Sequence, residues 1–204
     1  EGVKDYSESY SENNTYDYVL TNAGQYTSVT ANVGTLSIVK RDVTLVSGDA
    51  EKAYDGVALT NADVEGTNAN GLVTEEGWVA GEGATYNFTG SQLTEGSSPN
   101  AFGYTLKDNT KAENYNISKT EGTLTITENK TALVITSSTK SWTYDGQLHT
   151  DEVYTVTYDG TEVAADATGK VFTLPTGDTV TITATAEGVK DYSESYSENN
   201  TYDY

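Results

Sequence analysis

His149 is the only imidazole in the 204 residues, and it stands two positions before Asp151. A histidine oriented by an acid can act as a general base toward a hydroxyl. Nothing in the spacing around His149 supplies a nucleophile together with that orienting group, so the sequence reads it as a surface histidine beside an acid. The chain has no cysteine, which removes thiol nucleophiles, thiolate zinc sites and disulfides. The acid pairs Glu75-Glu76 and Asp151-Glu152 could offer oxygens to calcium, but no Asp-x-Asp-x-Asp-Gly loop gathers them. No cofactor is expected. Trp78 and Trp142 are the two tryptophans, and each could be a platform for a sugar ring. A lone Trp in a small β module more commonly anchors the core. Trp142 precedes Tyr144 by two, which places both on one face of a strand.

Tyr-Asp-Gly occurs twice, as Tyr54-Asp55-Gly56 and Tyr144-Asp145-Gly146. The motif reads as structural rather than catalytic, since neither copy is accompanied by a base or nucleophile. Glycine at its third position suits a positive φ. The Asp carboxylate can accept from nearby amides in a turn. The Tyr ring can be buried while its hydroxyl keeps a partner.

The elements that would position these residues are strands. Thr35-Leu36-Ser37-Ile38-Val39, Thr123-Leu124-Thr125-Ile126-Thr127, Val153-Tyr154-Thr155-Val156-Thr157 and Thr179-Val180-Thr181-Ile182-Thr183 alternate with period two, the pattern of a strand with one buried face. Asp159-Gly160 between two such runs signals a tight hairpin. No window of ten residues carries a 3.6 period, and only a short helical turn is expected, near residues 108–113. In the polar stretch 5–14, the Tyr6, Tyr10 spacing predicts a bulged or exposed strand, followed by a regular one bearing Tyr16 and Tyr18.

The organisation is repetitive. Residues 1–18 and 187–204 are identical, EGVKDYSESYSENNTYDY, at an offset of 186. Such identity predicts a tandem array of which this chain holds one period plus an overlap, an interior piece of something longer. Within the period, the two Tyr-Asp-Gly motifs lie 90 apart, and Gly34-Thr35-Leu36-Ser37-Ile38 matches Gly122-Thr123-Leu124-Thr125-Ile126 at an offset of 88. Two diverged modules of roughly 90 residues follow, a common size for a small domain. The expected division is 1–39, the C-terminal part of a split module; 40–130, a complete module; and 131–204, the N-terminal part of the split module. The last would be completed by the equivalent of residues 19–39 from the next repeat, so residues 19–39 are expected to meet another copy's 131–204 segment.

These motifs carry a resemblance. Tyr-Asp-Gly shortly after a strand start, Gly71-Leu72-Val73, the run from Phe88 to Ser98, Ala112-Glu113-Asn114-Tyr115-Asn116-Ile117 and the closing Gly-Thr-Leu-x-Ile together resemble the YDG/MBG-type tandem modules of large bacterial surface proteins and adhesins. Residues 160–200 lack the Gly-Leu-Val and Thr-Gly-Ser-Gln elements. The resemblance implies an all-β chain of small sandwich-like modules, Ig-like or β-grasp-like, arranged end to end. It implies a bacterial extracellular location and a structural role in a fibre, stalk or adhesin. A glycan- or protein-binding module is the alternative, carried by Trp78, Trp142 and the tyrosines.

Composition agrees with a non-catalytic surface role. There are 31 acidic and 11 basic side chains, a net charge of −20, which sets the chain against nucleic acid and anionic membrane. No apolar run approaches the ~18 residues of a membrane helix. Neighbouring copies of the repeat are the expected partners, either covalently continuous or strand-complementing. Asn-x-Ser/Thr sequons at Asn13, Asn87, Asn116, Asn129 and Asn199 are candidate glycosylation points in a host that uses them.

Overall fold

The computed structural model describes residues 3–183, 188–195 and 199–204. Regular structure among them is strand, interrupted by five single 3₁₀ turns, and the strands form several small sheets. The chain is all-β, as its alternation predicts. No helix among the described residues is long and apolar enough to cross a membrane. The chain divides into two compact units: Glu1–Ala50, Leu59–Ser91 and Ser97–Thr125; and Glu51–Ala58, Gln92–Gly96 and Ile126–Tyr204.

In the first unit, the strand Arg41–Val46 pairs antiparallel with Thr74–Glu76 and parallel with Tyr115–Thr120. Period two turns Val43 and Leu45 inward, 1 % and 0 % exposed. They meet Leu72, Phe102 and Tyr115, Phe102 coming from the antiparallel pair Ala84–Phe88 and Phe102–Leu106. Burying a Leu or Phe so fully contributes roughly 2–3 kcal/mol each. Trp78 packs edge-on against Tyr115, ring centroids 5.0 Å apart, so it anchors this core.

The second unit is built on the antiparallel ladder Leu133–Ser137, Tyr154–Tyr158 and Thr161–Val163. Asp159 and Gly160 carry φ of 50° and 71°, which is the two-residue hairpin that Asp-Gly announces. The pair Val171–Thr173 and Thr179–Thr181 adds Phe172 and Val180. These pack with Tyr154, Val156 and Ile182, and Tyr202 closes the flank.

Two expectations fail. The strand Thr123–Thr127 forms and buries Leu124 and Ile126. Its sequence twin at 35–39 forms no strand, and Ile38 is 36 % exposed. Alternation alone does not make a strand; a partner main chain must be present, and here side chains of Ser9 and Asn13 stand in for one. The second failure is the polar stretch 5–14. It contains the 3₁₀ turn Tyr6–Glu8 closed by a capping box from Asp5 and Glu8, because short oxygen-bearing side chains compete for the backbone. Tyr16 and Tyr18 follow outside any strand, 53 % and 56 % exposed. The short turn expected near 108–113 is present as Ala112–Asn114.

Candidate binding groove

The second unit holds a cleft of about 1070 Å³. It is lined by residues 137–144 and 149–151 and by the repeated C-terminal segment, including Val189, Tyr192, Ser195, Asn199 and Tyr202. His149 and Val189 join the two sides by a reciprocal backbone pair, N–H to O at 2.9 and 2.8 Å. Trp142 lies flat on the His149 ring, centroids 5.0 Å apart at 14°, and Lys140 Nζ sits 5.5 Å from the Trp142 centroid. Trp142 and Trp78 are both half-buried, but Trp78 packs against the core of the first unit while Trp142 lines the cleft.

His149 has a different acid from the one its sequence neighbour suggests. Its Nε2 lies 2.9 Å from Asp145 Oδ1, while Asp151 accepts from Ser138 Oγ at 2.5 Å. Asp145 is held below the usual carboxylate range, first by the Gln147 amide and then by His149. Among the described residues no hydroxyl is hydrogen-bonded to His149, whose ring contacts are Asp145 and Trp142.

The two Tyr-Asp-Gly turns share local geometry. Gly56 and Gly146 have φ of 80° and 78°. Asp55 and Asp145 each accept from the amide two residues on, Val57 and Gln147, at 2.9 Å. Their surroundings differ. Tyr54 is half-buried and donates to Asp178 Oδ1 at 3.0 Å. A Cβ on Gly56 would stand 1.7 Å from Thr176 O, so this turn needs glycine for close approach as well as for φ. Tyr144 is 75 % exposed, against the expectation of a buried ring, and among the described residues its hydroxyl has no hydrogen bond like that of Tyr54.

The acid pairs are engaged one by one. Glu75 accepts from Tyr86 Oη at 2.7 Å, and Glu152 pairs with Lys170 at 2.7 Å. Among the described residues no group of three or more His, Asp or Glu could hold a metal ion. Of the sequons, Asn87 and Asn116 are exposed, Asn129 and Asn199 half-buried, and Asn13 buried. Asn13 spends its carboxamide on the main chain: Nδ2 donates to Glu8 O at 3.1 Å and Leu36 O at 2.8 Å, and Oδ1 accepts from Leu36 N at 2.7 Å.

The repeated segment forms the wall of the groove opposite Trp142. Asn200 Nδ2 donates to Ser138 O at 2.9 Å, Ser137 Oγ donates to Asn200 O at 2.8 Å, and Tyr202 Oη donates to Ile135 O at 2.7 Å. Asn200 Oδ1 is buried and has no donor among the described residues. Sequence reasoning missed this groove. Its one available signal was the repeat itself, which says that residues 187–204 recur without saying what they line.

An all-β pair of units with an open groove is what the fold and site define. No family model, no curated protein and no solved structure matches this chain.

Proposed function

We propose that the chain is a structural segment of a tandem array of YDG/MBG-like modules in a bacterial surface protein, extending an extracellular fibre, stalk or adhesin. Its role is mechanical rather than catalytic, and its partners are neighbouring copies of the repeat. The observation that carries this reading is the letter-for-letter identity of residues 1–18 and 187–204, joined by the doubled Tyr-Asp-Gly and Gly-Thr-Leu-x-Ile motifs. The charge of −20 supports solubility outside the cell and discourages edge-to-edge association of strands. The domain division in the array is 1–39, 40–130 and 131–204, with the first part completing the last across the repeat.

The test is to build chains of one, two and three periods and measure their length by small-angle scattering. Equal increments of length, with a melting temperature that stops rising after the first joined pair, support the stalk. A compact particle whose maximum dimension does not grow would sink it. Binding of a glycan is a second reading, favoured by the half-buried Trp142 stacked at the groove. It predicts retention on a glycan array that Trp142→Ala abolishes.

A further inference from the structure

We propose that the groove of the second unit is an acceptor site for a main-chain segment, and that its occupant is residues 34–39 of the next copy of this repeat. The inference rests on the tandem reading above and specifies the joint that it needs.

The identical segments show what the groove lacks. In the N-terminal copy, Asn13 and Ser9 grip an extended segment: Asn13 makes two of its three bonds to the Leu36 main chain, and Ser9 Oγ accepts from Ile38 N at 2.7 Å. The Asn14 amide donates to Gly34 O at 2.9 Å. The corresponding atoms of the C-terminal copy belong to Asn199, Ser195 and Asn200. Asn199 Nδ2 repeats the local bond to Glu194 O at 3.1 Å. Among the described residues its Oδ1, the Ser195 hydroxyl and the Asn200 amide make no hydrogen bond, and all three residues line the cleft. What the C-terminal copy gives to its own unit is a different set of atoms: the Asn200 carbonyl and carboxamide Nδ2, and the Asp203 carbonyl, which accepts from Thr183 N at 3.0 Å. One edge of this ribbon is therefore tied down and the other, gripping edge is open.

The opposite wall asks for the same occupant. In the complete module, Tyr54 N donates to Thr127 O at 2.9 Å and Thr127 Oγ1 donates to Lys52 O at 3.4 Å, so the chain leading into Tyr-Asp-Gly is flanked by the end of the Gly-Thr-Leu-x-Ile strand. By the offsets of 90 and 88, the matching wall is residues 142–144 and the matching strand is residues 34–39. Tyr144 N has no hydrogen bond among the described residues. The apolar side chains agree. Leu124 and Ile126 are 0 % and 1 % exposed, while their counterparts Leu36 and Ile38 are half-buried and 36 % exposed. Six extended residues span about 20 Å. Seated in the cleft, residues 34–39 would bond to Asn199 on one side and Tyr144 on the other, as a middle strand does.

In a covalent array residues 187–204 are residues 1–18 of the next period, a single gripping segment; between separate chains, the N-terminal segment of one and the C-terminal segment of another compete for residues 34–39. Only the C-terminal one adds a second wall.

The test uses the full chain with a synthetic peptide of residues 28–39, SVTANVGTLSIV, followed by calorimetry. We expect one peptide per chain and an affinity at least about 10-fold weaker in Asn199→Ala, from loss of two hydrogen bonds. In the absence of peptide, Asn13→Ala frees the chain's own residues 34–39, and we expect it to form head-to-tail oligomers by sedimentation that Asn13→Ala/Asn199→Ala does not form. Absence of peptide binding to 1 mM, or binding indifferent to Asn199→Ala, overturns the proposal, as does a glycan that occupies the groove and is lost with Trp142→Ala. The length increments of multi-period chains are a separate result, so an array can stand even if this joint fails.

Discussion

Residues 3–18 and 189–204 have one sequence, and their described residues lie in two environments, so comparing them separates what local sequence encodes from what its surroundings decide. The 3₁₀ turn is the same in both. Asp5 and Asp191 have φ of −137° and −139°, and each accepts from the serine amide two residues on. The Lys4 and Lys190 amides each donate to the glutamate four residues later, and Asn13 and Asn199 each reach back to a glutamate carbonyl at 3.1 Å. Among the described residues the longer-ranged contacts differ. Asp5 is 7 % exposed and paired with Lys111, and the Tyr6 amide donates to Asn114 Oδ1 at 2.8 Å. Asp191 is exposed and Tyr192 is 91 % exposed. Conversely Tyr202 flanks a core, while its counterpart Tyr16 is 53 % exposed and donates to Asn32 O at 3.1 Å. Caps and short turns are therefore written in the segment, and burial is supplied by whatever lies beside it.

The tyrosines give the largest expected asymmetry. Tyr202→Ala removes the ring packed edge-on to Tyr154 and the bond to Ile135 O, and should cost about 2–3 kcal/mol of stability. Tyr16→Ala should cost less than about 0.5 kcal/mol, as surface changes generally do. Equal losses in urea unfolding would mean that the two copies share an environment after all. Next come the asparagines. Asn13→Ala forfeits three bonds from a buried side chain and should cost about 2 kcal/mol, against about 0.5–1 kcal/mol for Asn199→Ala, which forfeits one.

A smaller contrast is electrostatic. Asp5 is held below its ordinary value first by Lys111 and then by Ser7, and Asp191 is held below it by Ser193. A depressed folded-state value means that the stabilisation is complete above the unfolded carboxylate pKa and is lost as pH falls through the folded one. Lys111→Gln should raise the Asp5 midpoint toward the ordinary value and leave Asp191 where it is, as carboxyl NMR titration would record. Movement of both midpoints would contradict the separation. The smallest effect is Ser9→Ala against Ser195→Ala, a few tenths of a kcal/mol from a partly exposed bond. The difference should vanish in Asn13→Ala if both side chains serve the same grip.

Much of the fold was legible in the sequence. Alternation located Thr123–Thr127, Tyr154–Tyr158 and Thr179–Thr181, because each has a partner chain and an apolar face to bury. Asp159-Gly160 fixed its hairpin, because two positive φ values leave few alternatives. Residues 35–39 have the same alternation and are not a strand, since pattern states what a segment could bury and not whether a partner is present. The polar run 5–14 gave no strand because Asp5, Ser7 and Glu8 satisfy the backbone locally. The groove was not legible at all. Trp142 and His149 are seven residues apart with no shared period, and the chain reversal at Asp145-Gly146 that brings their rings together is a tertiary result. His149 likewise turned to Asp145, four residues before it, rather than to Asp151, two residues after it.

Two backbone amides, those of Asn14 and Asn200, should behave differently although their sequences are the same. Amide hydrogen exchange on the full chain should find Asn14 protected by Gly34 O and Asn200 exchanging freely. Adding the peptide of residues 28–39 should slow Asn200 and Tyr144 together and leave Asn14 unchanged. Asn200 remaining fast under saturating peptide, or already as slow as Asn14 in the free monomer, would contradict an open acceptor groove.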